Sequence, residues 1–170
     1  GIVQTGYLGL PFHRVYWNDQ SVHVENMPDS RLKLPIGLRV NYFASDHVVI
    51  RSYYRYYRDN WGVNAHTASI ELPLKLNSFI SFSPFYRYYR QTAAYFFAPY
   101  GAHTAADKYY TSNYDYSAFQ SQYLGMNIRL SPPRGIMGVN KFSLLEIRMG
   151  HYVQTTGLEA TNIGVNLRFK

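Results

Sequence analysis

The chain has 170 residues, no cysteine, and a formal net charge of +7 from 17 basic and 10 acidic side chains. The missing cysteines exclude a disulfide framework, a thiolate metal site and a cysteine nucleophile. A basic surplus can mark a polyanion partner, but here the basic residues recur singly inside strand-like segments, tyrosine dominates the aromatics at 18 residues, and no RNP-like or helix-turn-helix pattern occurs, so no nucleic-acid partner is expected.

Gly1 to Trp17 reads as a weakly alternating first strand. Leu34, Ile36, Leu38, Val40 and Tyr42 then alternate with Lys33, Pro35, Gly37, Arg39 and Asn41. Val48, Ile50, Tyr54 and Tyr56 are set against Arg51 and Arg55, and Ala68, Ile70, Leu72, Leu74 and Leu76 against Thr67, Ser69, Glu71, Pro73 and Lys75. The segment Ile80, Phe82, Pro84, Tyr86, Tyr88 alternates with Ser81, Ser83, Phe85, Arg87, Tyr89. Leu124 to Leu130, Leu145 to Val153 and Ile163 to Phe169 repeat the pattern, with Arg129, Glu146, Arg148 and Arg168 on their polar sides. Successive strand side chains point to opposite faces, so each segment has one apolar and one polar face. About eight strands result, many near the ~9–11 residues that cross a bilayer and longer than the ~5–6 usual in soluble sheets.

The connections alternate in length. Short turns fall at Ala44-Ser45-Asp46, at Asn77-Ser78 and at a Pro-Pro stretch from Ser131 to Gly138. On the other side lie Asn18 to Arg31, Asp59 to Gly62, the long Gln91 to Ser117, and Thr155 to Gly157. Short periplasmic turns opposite longer extracellular loops are the pattern of transmembrane barrels. No run approaches the ~18 apolar residues of a membrane helix, and a mean hydropathy of -0.30 is compatible with alternating strands. The expected fold class is therefore all-β, an antiparallel transmembrane β-barrel. The chain starts at Gly1 without a secretory leader, so it is expected to be a processed chain or the C-terminal part of a larger barrel.

Three features follow from that assignment. The segment Asn162 to Phe169 resembles the β-signal read by the barrel-assembly machinery, with Asn162, Gly164, Leu167 and Phe169 at its key places and Lys170 after the aromatic. An ionised group facing hydrocarbon costs ~2–4 kcal/mol at the midplane, so Arg39, Arg51, Arg55, Glu71, Arg87, Arg129, Glu146, Arg148 and Arg168 are expected to line the lumen. They either fill a narrow barrel as ladders of charge or make a cationic passage for an anionic solute. Tyr54, Tyr56, Tyr86 and Tyr88 are expected at the outer membrane interface, with Trp17 and Trp61 close to the rim, and Tyr42, Phe82 and Phe169 at the inner interface. The echo of Tyr53 to Arg58 in Phe85 to Arg90 is read as the same positional demand met twice.

The six histidines are scattered, and His23-Val24-Glu25 is the nearest approach to a metal pair. His66 and Ser69 fall on opposite faces of one strand, which fails the geometry of a nucleophile and its base. No catalytic residue, cofactor or metal is expected. The loop Gln91 to Ser117 could plug the lumen, bind a partner or cover the rim.

The blocks Leu10 to Tyr16, Ser52 to Tyr57, Asn60-Trp61-Gly62, Ala65 to Ala68, Pro84 to Tyr89, Phe97 to Tyr100, Tyr110 to Asp115, Gly150 to Tyr152 and Gln154 to Gly157 carry a further likeness. Together they resemble a family of Gram-negative outer-membrane barrel proteins, domain-of-unknown-function family 3570. The resemblance spans essentially the whole chain. It implies an integral outer-membrane location, further strands upstream, and no particular activity. Expected partners are outer-membrane lipid, the assembly machinery during insertion, and other outer-membrane or periplasmic proteins. Four functional readings are carried forward: a solute channel or transport component, a structural or partner-binding component, a lipid-modifying enzyme, and a soluble lipocalin-like barrel with its faces reversed.

Overall fold

A computed structural model describes residues 1–169. Its strands are β1 (Ile2–Thr5), β2 (Arg14–Tyr16), β3 (Val22–Val24), β4 (Ser30–Ser45), β5 (Val48–Asp59), β6 (Asn64–Glu71), β7 (Leu74–Lys75), β8 (Ile80–Gln91), β9 (Phe119–Leu130), β10 (Phe142–Gln154) and β11 (Glu159–Phe169). One sheet of nine strands follows the order β1-β4-β5-β6-β8-β9-β10-β11, with β7 bridging β5 and β8, and β2 pairs β3 separately. The all-β, antiparallel expectation holds. No helix of the described residues is long and apolar enough to cross a membrane.

The strand boundaries follow local chemistry. Pro73 has no N–H to donate, so β6 stops at Glu71 and pairing resumes at Leu74, where Val48 and Phe82 flank the same residue. The stretch Gly1 to Trp17, expected as one strand, is divided. Gly6 at φ +108° turns the chain away after β1, and Pro11 follows before β2 starts. Asp19 then holds the tip of the β2–β3 hairpin, its Oδ1 accepting from the Ser21 amide at 2.9 Å. β2 falls within the stretch expected as strand, whereas β3 lies inside a stretch expected to be loop and was not legible from a period of two over three residues.

Two compact units share the chain. The first comprises Gly1–Ile36, Arg55–His66 and Arg90–Gln120; the second comprises Gly37–Tyr54, Thr67–Tyr89 and the chain from Ser121 on. The first unit buries Val15, Met27, Trp61, Val63 and Ala94 together with Glu25, Asp59, His103 and Thr111. In the second, the usual burial rule is inverted at several positions. On β6, Thr67 is 7% exposed and Ile70 41%; on β9, Ser121 is 5% exposed and Leu124 62%. Ser83 on β8 is also buried, whereas Leu38, Val40 and Tyr42 on β4 and Ile163 and Val165 on β11 are exposed. On β6, β8 and β9 the buried serine or threonine shares the polar parity, while β4 from Leu34 on and all of β11 are exposed on both parities; among the described residues Phe85 and Leu144 are the buried apolar side chains of this unit. β1 pairs only Ser30 to Lys33 of β4, and among the described residues β11 has a strand neighbour only in β10.

Candidate functional site

Cross-strand register builds the polar face of the second unit row by row. Arg129, Glu146 and Asn166 lie side by side across β9, β10 and β11. The next rows are Asn127, Arg148 and Gly164, then Gly125, Gly150 and Asn162, then Tyr123, Tyr152 and Ala160. Glu146 does not close on Arg129 but accepts from Asn127 Nδ2 at 2.6 Å. Arg148 lies 4.7 Å from the centroid of the Phe85 ring, and Arg87 lies 5.2 Å from that of Tyr123. Among the described residues, Arg39, Arg87, Arg129 and Arg148 have no carboxylate within 4 Å. The face holds six arginines (39, 51, 87, 129, 148 and 168) against Glu71 and Glu146.

Glycines shape this face. A Cβ on Gly150 would stand 2.5 Å from the Tyr123 ring, and one on Gly125 would stand 2.5 Å from Phe85 Cζ and overlap the Met149 carbonyl. Each ring therefore reaches over the glycine of the next strand, and the Phe85 and Tyr123 centroids lie 5.1 Å apart with the rings tilted by 55°. Periodicity assigned Gly125 to the polar face, but it could not show that an aromatic ring would need the space.

Among the recesses that open on this unit, two are lined by several charged side chains. One, of about 440 Å³, is lined by Arg39, Asn41, Arg51, Tyr53, Ser69 and Glu71. Here Arg51 Nη1 stands 3.7 Å from Glu71 Oε1, and the Arg39 guanidinium lies 5.6 Å from the Tyr53 ring. The other, of about 670 Å³, lies by the short turns, with His47, Lys75 and Arg129 among its lining. Of the charges expected to share a face, Arg39, Arg51 and Glu71 thus meet in one recess, and Arg129, Glu146 and Arg148 occupy adjacent rows. Arg168 is exposed beside Leu144, just past a bulge at Ser143, whose hydroxyl donates to the Arg168 carbonyl at 3.2 Å. Arg55 belongs to the first unit and is exposed.

The first unit holds a charged cluster that sequence reasoning missed. Arg31 Nη2 meets Asp59 Oδ2 at 2.5 Å, with side-chain exposures of 14% and 0%. The guanidinium lies 4.4 Å from the Trp61 ring and 5.5 Å from that of Tyr116. Asp59 also accepts from Tyr57 Oη and from the Trp61 and Val63 amides. Burial pushes the Tyr116 phenol above its usual 10.0, and nearby Arg31 pulls it back. Trp61, expected near a membrane rim, is buried in this cluster, where its Nε1 donates to the Ser30 carbonyl at 2.9 Å.

The long loop is tied down inside the same unit. Buried Glu25 takes the Leu10 amide at 2.7 Å on one oxygen and the Thr111 hydroxyl on the other. Gln91 Nε2 donates to the carbonyls of Asp115 and Ser117 at 2.8 and 2.7 Å. His23 stacks on Trp17 at 3.8 Å and reaches Ser21 Oγ through Nε2 at 2.8 Å. The Ser21 hydroxyl donates to Asp19 Oδ1 at 2.5 Å, so toward that oxygen His23 Nε2 is the donor, the opposite of what a general base requires. Among the described residues no group of three His, Cys, Asp or Glu side chains could hold a metal ion.

Tyr42 and Tyr54 are exposed, Tyr56 Oη donates to Asn64 Oδ1 at 3.2 Å, and Tyr86 Oη donates to Gln122 Oε1 at 3.2 Å. Phe82 and Tyr88 are half-buried. In the C-terminal signal, Asn162 accepts from Tyr123 Oη at 3.0 Å, and Gly164 has open space around its Cα. Leu167 pairs with Leu145, and Phe169 faces Phe142 with ring centroids 5.1 Å apart.

A family model described as a protein of unknown function, DUF3570, matches residues 3–163. The chain belongs to the DUF3570 family. No curated protein and no solved structure matches it.

Proposed function

We propose that this chain is an integral protein of the Gram-negative outer membrane, its strands forming a β-barrel wall whose arginine-rich lumen passes or binds small anionic solutes. The observation that carries the reading is the inverted burial, with serine and threonine packed and leucine and isoleucine exposed on the same strands. Hydrocarbon is the medium that favours such an outer surface. It also disfavours the lipocalin-like alternative, which would turn Leu124 inward and Ser121 outward. Outer-membrane lipid is then the partner of the apolar face, and the assembly machinery the transient partner of Asn162, Gly164, Leu167 and Phe169.

The solute preference follows from arginines with no carboxylate beside them, because an unpaired guanidinium offers a fork of donors to an incoming anion. Folded protein in a planar bilayer under a salt gradient should show a reversal potential on the anion-selective side. Absence of any current from pure, folded protein would sink the channel reading. A second reading, a structural or partner-binding component of an outer-membrane complex, draws on the rings lying over Gly125 and Gly150 with Arg148 beside Phe85, which fill space a solute would need. Mild detergent extraction should then recover a constant companion protein; a barrel that always emerges alone rules this reading out.

A further inference from the structure

We infer that Arg39, Arg51 and Tyr53 form a seat for a small organic monocarboxylate that carries a hydroxyl next to its carboxylate. The inference rests on reading the polar face as the solute-facing one. The seat owes its shape to Gly37. A Cβ there would stand 3.3 Å from Tyr53 Oη and 3.4 Å from its Cε2, so the phenol lies across β4 instead of standing away from the sheet. The ring lines the recess together with both guanidinium groups, that of Arg39 lying 5.6 Å from its centroid.

Three properties set the ligand class. First, both forks keep donors to offer: among the described residues Arg39 is held only against the Tyr53 ring, and Arg51 Nη1 is 3.7 Å from Glu71 Oε1, beyond hydrogen-bond length. Two such forks match the planar oxygens of a carboxylate. Second, two guanidinium charges less one carboxylate leave a single positive charge, which a monoanion neutralises. Glu71 repels the second charge of a phosphate or sulfate dianion. Third, Glu71, Ser69 and Asn41 line the same recess of about 440 Å³, so a hydroxyl on the ligand finds acceptors where the carboxylate does not. Arg51 is 54% exposed, so water competes for it and binding is weak, with Kd on the order of 1 mM. Weak binding suits a stepping site that a solute must also leave.

The test uses the folded full chain in detergent micelles, with L-lactate, inorganic phosphate and sulfate as probes. Line broadening of the lactate carboxyl carbon and of phosphate phosphorus gives each affinity. Lactate should bind at least fivefold tighter than phosphate, and Arg39→Gln or Arg51→Gln should weaken lactate about tenfold. Arg51→Lys, which keeps the charge but loses the fork, should fall between. Glu71→Gln should erase the preference for lactate over phosphate, a change that simple misfolding does not produce. Equal binding of phosphate and lactate by the wild type, or undiminished lactate binding by both glutamine variants, would overturn the seat. Bilayer current measured on the same preparation separates the two ideas. Lactate binding without current leaves the seat standing and removes the channel; anion-selective current without lactate binding does the reverse.

Discussion

Asp59 shows how much a single side chain can hold in this protein. Its carboxylate takes the Arg31 guanidinium, the Tyr57 phenol and the amides of Trp61 and Val63. Removing one partner of a buried ion pair leaves the other charge uncompensated, at a cost of ~3–5 kcal/mol. Asp59→Asn should therefore destabilise the first unit by about 3 kcal/mol, visible as faster proteolysis within residues 91–117 at mild denaturant concentration. In the sequence, Asp59 was readable only as a turn residue and Arg31 only as the end of a loop. Their 28-residue separation carries no periodic signal, so the pair emerges only when β4 and β5 lie together. Asp107 gives a pH-dependent counterpart. The Thr104 amide, and then His103, hold its carboxyl below the usual 3.8. A depressed folded value means that the contribution is complete above the ordinary carboxylate value and fades as pH falls through the lower one. The His103 to Asp107 turn should stay protected from proteolysis at pH 5 and loosen as pH approaches 3, measured with an acid-stable protease.

At the level of the element, glycine decides more than charge does. Gly125 and Gly150 sit opposite each other on β9 and β10, and Gly164 is opposite Arg148 on β11. The first two lie beneath rings, while the third has nothing within 4 Å of a built Cβ. Gly125→Ala should destabilise the protein by about 2 kcal/mol through overpacking against Phe85 and the Met149 carbonyl. Gly164→Ala should change stability by less than ~0.5 kcal/mol, as surface substitutions do. Urea unfolding of the protein in liposomes would read both. A result in which the two variants behave alike would remove the distinction between a packed and an open glycine. Strand periodicity could not make that distinction, because it reports which face a residue takes and not what crosses over it.

For the molecule as a whole, the alternation that runs through most segments made the antiparallel all-β architecture legible. The eight-strand estimate agrees with the path from β1 to β11, supplemented by the short β7. What alternation could not supply was the interior of the first unit, where Glu25, Thr111, His103 and Trp17 come from loops and a three-residue hairpin with no period to read. The inverted burial makes its own forecast. Leu124→Arg places a charge on the exposed apolar parity of β9, which should cost ~2–4 kcal/mol if that face meets hydrocarbon near the midplane. The yield of membrane-inserted protein in liposomes should drop accordingly. Unchanged insertion would mean that the face meets water.

The tiled rings carry a consequence for time. Tyr123 of β9 lies over Gly150 of β10, and Phe85 of β8 lies over Gly125 of β9. A tile can be laid only once the one beneath it is in place. The order of overlap then favours zippering from β10 back toward β8, with the C-terminal hairpin as the first course. Pulse-labelled amide exchange during refolding should find β10 and β11 protected before β8, and a simultaneous gain of protection would show that the tiles are set all at once.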